Sequence, residues 1–130
     1  MLNDEYSSLV NNDESTQVGI DFDGVIHSNN LGYHDGTLYG SPLPGSIESL
    51  RKLSQKYTII IYTCKARKDR PLINGKTGSE LVWEWLRKYE IDNIVKLVTS
   101  EKPRAAFYID DKAYRFDNWE SVMEKIEKIK

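Results

Sequence analysis

The stretch Gln17-Val18-Gly19-Ile20-Asp21-Phe22-Asp23-Gly24 decides how the chain is read. A short apolar run ends in two acids and is closed by a glycine, the pattern of a strand running into a turn. Before it, residues 1–16 hold Asp4, Glu5, Asp13 and Glu14 with no basic residue. Such a segment cannot bury enough surface to offset its ordering entropy, so an acidic, mobile tail is expected there. After it, residues 24–45 collect five of the eight glycines, Pro42, Pro44 and both histidines. That composition reads as a glycine-rich flap, with a hairpin about Asp35-Gly36. Beyond the flap, helix and strand patterns alternate. Ile47, Leu50 and Leu53 mark a helix begun by Pro44 or capped by Ser46, and Thr58 to Thr63 is a β-branched, buried strand. A basic loop and a turn at Asn74-Gly75 lead to a helix with Leu81, Val82, Trp85, Leu86 and Tyr89 on one face. Strands at Ile94–Val98 and Ala105–Asp110 follow, then a helix from about Asn118 carrying Val122, Ile126 and Ile129. The alternation predicts an α/β fold with a mainly parallel sheet, in one domain over residues 17–130.

Composition narrows the function. The chain has 130 residues, with 18 basic and 20 acidic side chains and a net charge of −2. That balance argues against a generally basic nucleic-acid binder and leaves room for a local basic patch. The longest apolar runs, Ile59–Tyr62 and Ala105–Ile109, fall far below the ~18 residues of a membrane span. The acidic start lacks the basic and apolar regions of a signal peptide. The single cysteine, Cys64, excludes an internal disulfide and fits a reducing compartment. A cytoplasmic protein with no membrane partner is expected.

In a parallel sheet, ligands bind outside the carboxyl ends of the strands. Asp21 ends the first strand, with Asp23 two residues on; Thr63 ends the second; Asp110 and Asp111 end the last, and Lys102 precedes it. Each has a plain structural explanation: a solvated turn for Asp-x-Asp, a β-former for Thr63, a surface lysine for Lys102. The combination is more specific. Adjacent carboxylates at the rim of a buried strand repel each other, and a bound cation relieves that repulsion. Mg²⁺ takes oxygen ligands in octahedral geometry, typically one or two carboxylates with water and a substrate phosphate. Asp21 and Asp110 can supply the carboxylates, and Asp21 can attack phosphorus as a nucleophile.

These four stretches, in this order, resemble the haloacid dehalogenase-like (HAD) phosphohydrolases. Val18-Gly19-Ile20-Asp21-Phe22-Asp23-Gly24-Val25-Ile26 is similar to the family's first motif, and Ile59-Ile60-Ile61-Tyr62-Thr63 to its second. Lys102-Pro103 resembles the third and Phe107-Tyr108-Ile109-Asp110-Asp111 the fourth. The resemblance spans Val18 to Asp111, and it is to the small, capless members of bacteria and phages. It implies a Rossmann-like three-layer sandwich and Mg²⁺-dependent phosphomonoester hydrolysis through an aspartyl-phosphate. By it Asp21 is nucleophile and metal ligand, and Asp23 is general acid and base with its backbone carbonyl on the metal. Thr63 and Lys102 hold the phosphoryl group, Asp110 binds the metal, and Asp111 lies in the metal's outer shell. Families of this kind with elaborate specificity carry a cap between these motifs. Here the intervals leave room for a loop, a helix and a strand only, so no folded cap is expected.

Other residues are given structural roles. His27 and His34 have no cysteine partners, so a metal site is not expected of them, though substrate contact is open. Cys64 is read as a small buried residue, and Trp83, Trp85 and Trp119 as packing groups. A receiver domain also unites acids, threonine and lysine around Mg²⁺, but there the acidic pair comes first and the phosphoacceptor later; the order here is reversed. The remaining alternative is a catalytically weak HAD-fold module that binds a phosphorylated partner. The substrate is expected to be a phosphorylated small molecule or nucleotide. Lys65, Arg67 and Lys68 are candidates to grip a second anionic group, such as a further nucleotide phosphate or a nucleic-acid end.

Overall fold

A computed structural model describes residues 16–29, 37–110 and 118–129, with side chains to Glu127 in the last helix. The acidic segment 1–15, the hairpin about Asp35-Gly36, His34 and Asp111 lie outside the described residues.

Four strands form one sheet: β1 (Gln17–Asp21), β2 (Thr58–Tyr62), β3 (Val95–Thr99) and β4 (Phe107–Ile109), in the order β3-β2-β1-β4. Every pairing is parallel. β1 lies between β2 and β4, so its residues from Gln17 to Ile20 are all buried. Both faces of a central parallel strand are covered, which is why β1 and β2 read as continuous apolar runs rather than alternating ones. The chain steps from β1 to β2 through α1 (Ser46–Leu53) and on to β3 through α2 (Gly78–Lys88), in the same direction each time. Right-handed crossovers then put both helices on one face. α3 (Trp119–Ile129) joins that layer: Lys52 of α1 meets Glu127 at 2.7 Å, and the Trp119 indole donates to the Val25 carbonyl at 2.9 Å.

The core forms between this helix layer and one sheet face. Val18, Ile20, Ile59, Ile61, Phe107 and Ile109 meet Leu50, Leu53, Val82, Leu86, Val122 and Ile126. Each such side chain contributes roughly 1.5–3 kcal/mol when fully buried. The opposite face, carrying Gln17, Gly19 and Tyr108, is crossed by the extended segment 100–106. Gln17 Nε2 donates to the Arg104 carbonyl at 2.8 Å, and Pro103 is buried. Among the described residues the architecture is an α/β fold, one all-parallel four-stranded sheet with three α-helices. The link from β3 to β4 is too short to hold a helix and runs over this face as extended chain.

Local signals set the helix ends. Thr77 Oγ1 accepts from the Glu80 N–H at 3.1 Å while Glu80 accepts from the Thr77 N–H at 2.8 Å, a reciprocal cap on α2. Asn118 caps α3 through the Ser121 N–H at 2.8 Å. α1 is different. Gly45, with φ 81°, precedes it, and no side chain caps it. Ser46, expected as the cap, lies one position inside the helix and is buried. No helix among the described residues is long and apolar enough to cross a membrane.

Candidate active site

The all-parallel sheet brings Asp21, Thr63 and Asp110 to one edge. Asp21 pairs in register with Tyr62, and Ile20 with Ile109, so Asp21 and Asp110 stand level on neighbouring strands. Asp21 Oδ1 accepts the Phe22 N–H at 2.8 Å. Asp110 is buried at the rim of β4, where its Oδ2 accepts from the Tyr62 hydroxyl and lies 3.4 Å from the Lys102 ammonium. Burial first, and then the Asp110 carboxylate, push the Tyr62 hydroxyl far above its ordinary ionisation range. Tyr62 therefore keeps its proton and is the donor. Lys102 Nζ also sits 4.4 Å over the Tyr108 ring, so a half-exposed ammonium is steadied on two sides. Thr63 is buried; its N–H donates to the Thr99 carbonyl at 2.9 Å, and its Oγ1 accepts the Lys65 N–H at 3.2 Å. That second bond caps a short 3-10 turn over Cys64–Ala66.

Asp23 is held separately. The Phe22 carbonyl accepts from the N–H groups of Val25, Ile26 and His27 at 3.2, 2.9 and 3.0 Å, and Gly24, at φ 81°, donates to the His27 carbonyl at 2.8 Å. This turn returns His27 to Asp23, and its Nδ1 lies 3.1 Å from Asp23 Oδ1. The other carboxylate oxygen, Oδ2, faces the Lys65 ammonium at 3.5 Å. The His27 side chain is 0 % exposed and that of Lys65 9 %, whereas Asp23 is 23 % exposed. The carboxyl thus rests on two buried partners and opens outward on its remaining side.

Two expectations change here. His27 cannot touch a substrate, because its ring is enclosed by Phe22, Tyr39 and Trp85 at centroid distances of 5.3, 5.4 and 5.5 Å. Cys64 is exposed rather than buried, since the 3-10 turn points its neighbour Lys65 inward instead. What holds Lys65 there is Gly78, the first residue of α2. A methyl group at Gly78 would fall on the Lys65 carbonyl, so only glycine allows this approach. The rest of the basic loop faces outward. Arg67 and Lys68 are exposed, and the Arg67 guanidinium makes a two-point contact with Asp69 at 2.7 and 3.1 Å.

No family model, curated protein or solved structure matches the chain. The site stands on its own geometry. Among the described residues, no three His, Cys, Asp or Glu side chains gather as a metal-holding group. The side chains on Asp23 were the part missed in the sequence. The spacing of Asp23 and His27 across Gly24 is the one signal that bears on them, because a tight turn returns the fourth residue to the first.

Proposed function

We propose that this chain is a Mg²⁺-dependent phosphomonoester hydrolase of the HAD type. The observation that carries the reading is the division of labour among the aspartates. Asp21 and Asp110 stand level on adjacent strand ends, with Lys102 beside Asp110, while Asp23 is held apart from them on His27 and Lys65. The donor set fits Mg²⁺, a hard cation that takes oxygen ligands: Asp21 and Asp110 would offer two carboxylates at neighbouring strand ends, and the Asp23 carbonyl would offer a further oxygen. Asp21 and Asp110 would hold the ion, which supplies charge neutralisation for the phosphoryl oxygens when bound.

In this reading the Asp21 carboxylate attacks phosphorus, the bond to the leaving oxygen breaks, and Asp23 gives that oxygen a proton. A water molecule then attacks the aspartyl-phosphate; Asp23 takes its proton, and phosphate leaves with Asp21 restored. Thr63 and Lys102 hold the phosphoryl oxygens and offset the charge that develops on them, which is most of what phosphoryl transfer requires of a protein. The substrate is a phosphomonoester on a small molecule or nucleotide, or at a nucleic-acid end. Release of phosphate from an aryl phosphate with and without Mg²⁺ tests the reading. Wild type should release it only with Mg²⁺, and Asp21→Asn should abolish release with the fold intact. Wild-type protein that binds phosphate without turnover would instead indicate a phosphate-binding module.

A further inference from the structure

We propose that His27 is a positioning residue that fixes the Asp23 carboxyl through a single ring tautomer, set by the backbone of the flap. The proposal rests on the reading of Asp23 as the proton donor and acceptor of the site. The Gly40 N–H donates to His27 Nε2 at 3.0 Å. A backbone amide can only donate, so Nε2 must offer its lone pair and the ring hydrogen sits on Nδ1. From there it points to Asp23 Oδ1 at 3.1 Å. The ring cannot flip to escape this arrangement. Phe22 stacks on it within 6° of parallel at 5.3 Å, and Trp85 and Tyr39 close its edges.

Gly40 is itself fixed. Its carbonyl accepts the Trp85 indole N–H at 2.9 Å, and a methyl group at Gly40 would strike the Ser28 carbonyl and hydroxyl. The pairing of Ser28 with Ser41 at 2.9 Å and of Leu43 with Ile26 at 2.8 Å binds the two arms of the flap around this contact. A chain of four groups thus runs from α2 to the acid: Trp85, Gly40, His27, Asp23. The acid's rotamer is decided by the flap and not by the substrate. A carboxyl already aimed at the leaving oxygen avoids the loss that free rotation would bring to proton transfer.

The test separates this role from packing. His27→Phe keeps the stacked ring and removes both hydrogen bonds, whereas His27→Asn can again present an N–H toward Asp23. Proton donation matters most for a poor leaving group. His27→Phe should therefore lower kcat on an alkyl phosphate roughly tenfold more than on an aryl phosphate, with KM nearly unchanged. His27→Asn should recover part of that loss. Nitrogen NMR of wild type should show hydrogen on Nδ1 and a bare Nε2, and this signature is independent of turnover and of how any variant folds. A uniform loss on both esters, no recovery in His27→Asn, or hydrogen on Nε2 would overturn the proposal. Wild type that releases no phosphate while showing the Nδ1 tautomer would fail the phosphatase reading and keep His27 as the anchor of Asp23.

Discussion

The Lys65 ammonium lies 3.5 Å from Asp23 Oδ2 on a side chain only 9 % exposed, while Asp23 itself reaches water. The two ends of this pair should therefore respond differently to removal. Lys65→Met keeps the packed stem and leaves a carboxylate that water can still solvate, so stability should change by less than about 1 kcal/mol. Asp23→Ala takes a carboxylate from beside a buried ammonium and should cost more, about 1–3 kcal/mol. Chemical denaturation of the two variants checks the asymmetry. Both should lose activity, whereas Lys68→Met, in the exposed loop beyond, should leave turnover of an aryl phosphate unchanged.

Gly78 offers a test of the same support from farther away. It touches no candidate catalytic group, yet an added methyl would displace the Lys65 carbonyl. Gly78→Ala should destabilise by about 1–3 kcal/mol, the usual penalty for overpacking, although alanine is otherwise the better helix former. Its activity should fall further than that of Gly75→Ala, because Gly75 sits in the exposed turn with open space about it. Parallel melting curves and initial rates would show both effects.

Tyr62 predicts an alkaline limit on stability. Its hydroxyl ionises far above the ordinary tyrosine range in the folded chain, chiefly through burial and the hydrogen bond to Asp110. A group whose folded pKa is raised contributes stability that is complete below its unfolded pKa, about 10, and is lost as pH rises toward the folded value. In metal-free buffer, stability should fall between about pH 10 and 11, and Tyr62→Phe should flatten that fall. Denaturant titrations at several alkaline pH values give the slope directly, and an identical slope in Tyr62→Phe would remove Tyr62 as its source.

The outward part of the basic loop bears on substrate class. Arg67 is held by Asp69, so the loop presents less free charge than its sequence suggests. If the loop grips a second anionic group, the Arg67→Ala, Lys68→Ala double variant should raise KM for nucleotide substrates and flatten its salt dependence. Asp69→Ala should do the reverse at low salt by releasing Arg67. KM measured at low and high salt for a nucleotide and for an aryl phosphate separates these outcomes, and a change shared by both substrates would leave the loop without a role in specificity.

The strands were legible because parallel strands buried on both faces leave continuous apolar runs, and β1, β2, β3 and β4 fall within two residues of where those runs lie. The Asn74-Gly75 turn was equally plain, since both residues take positive φ values, 53° and 79°. Layering was not legible. Hydrophobic spacing marks a helix but does not say which sheet face it covers, and for α1 and α2 that followed only from strand order. The surroundings of Asp23 were hidden for a related reason. Nothing in the composition of Lys65-Ala66-Arg67-Lys68 distinguishes the one basic side chain that turns inward, because the choice is made by a glycine thirteen positions later.

The Asn74-Gly75 turn joins Ile73 and Lys76, which exchange backbone hydrogen bonds of 2.9 and 3.0 Å, and the α2 cap begins directly afterwards at Thr77. Lys76 is fastened again to Glu84 at 2.6 Å. The base of this small ribbon is thus closed before its tip is reached. Additional chain spliced between Asn74 and Gly75 would emerge from a clasped neck, and each doubling of its length would cost only about 0.6 kcal/mol in closure entropy. The tip is a ready port for grafting a lid or a reporter module, with the anchors of Asp23 left untouched.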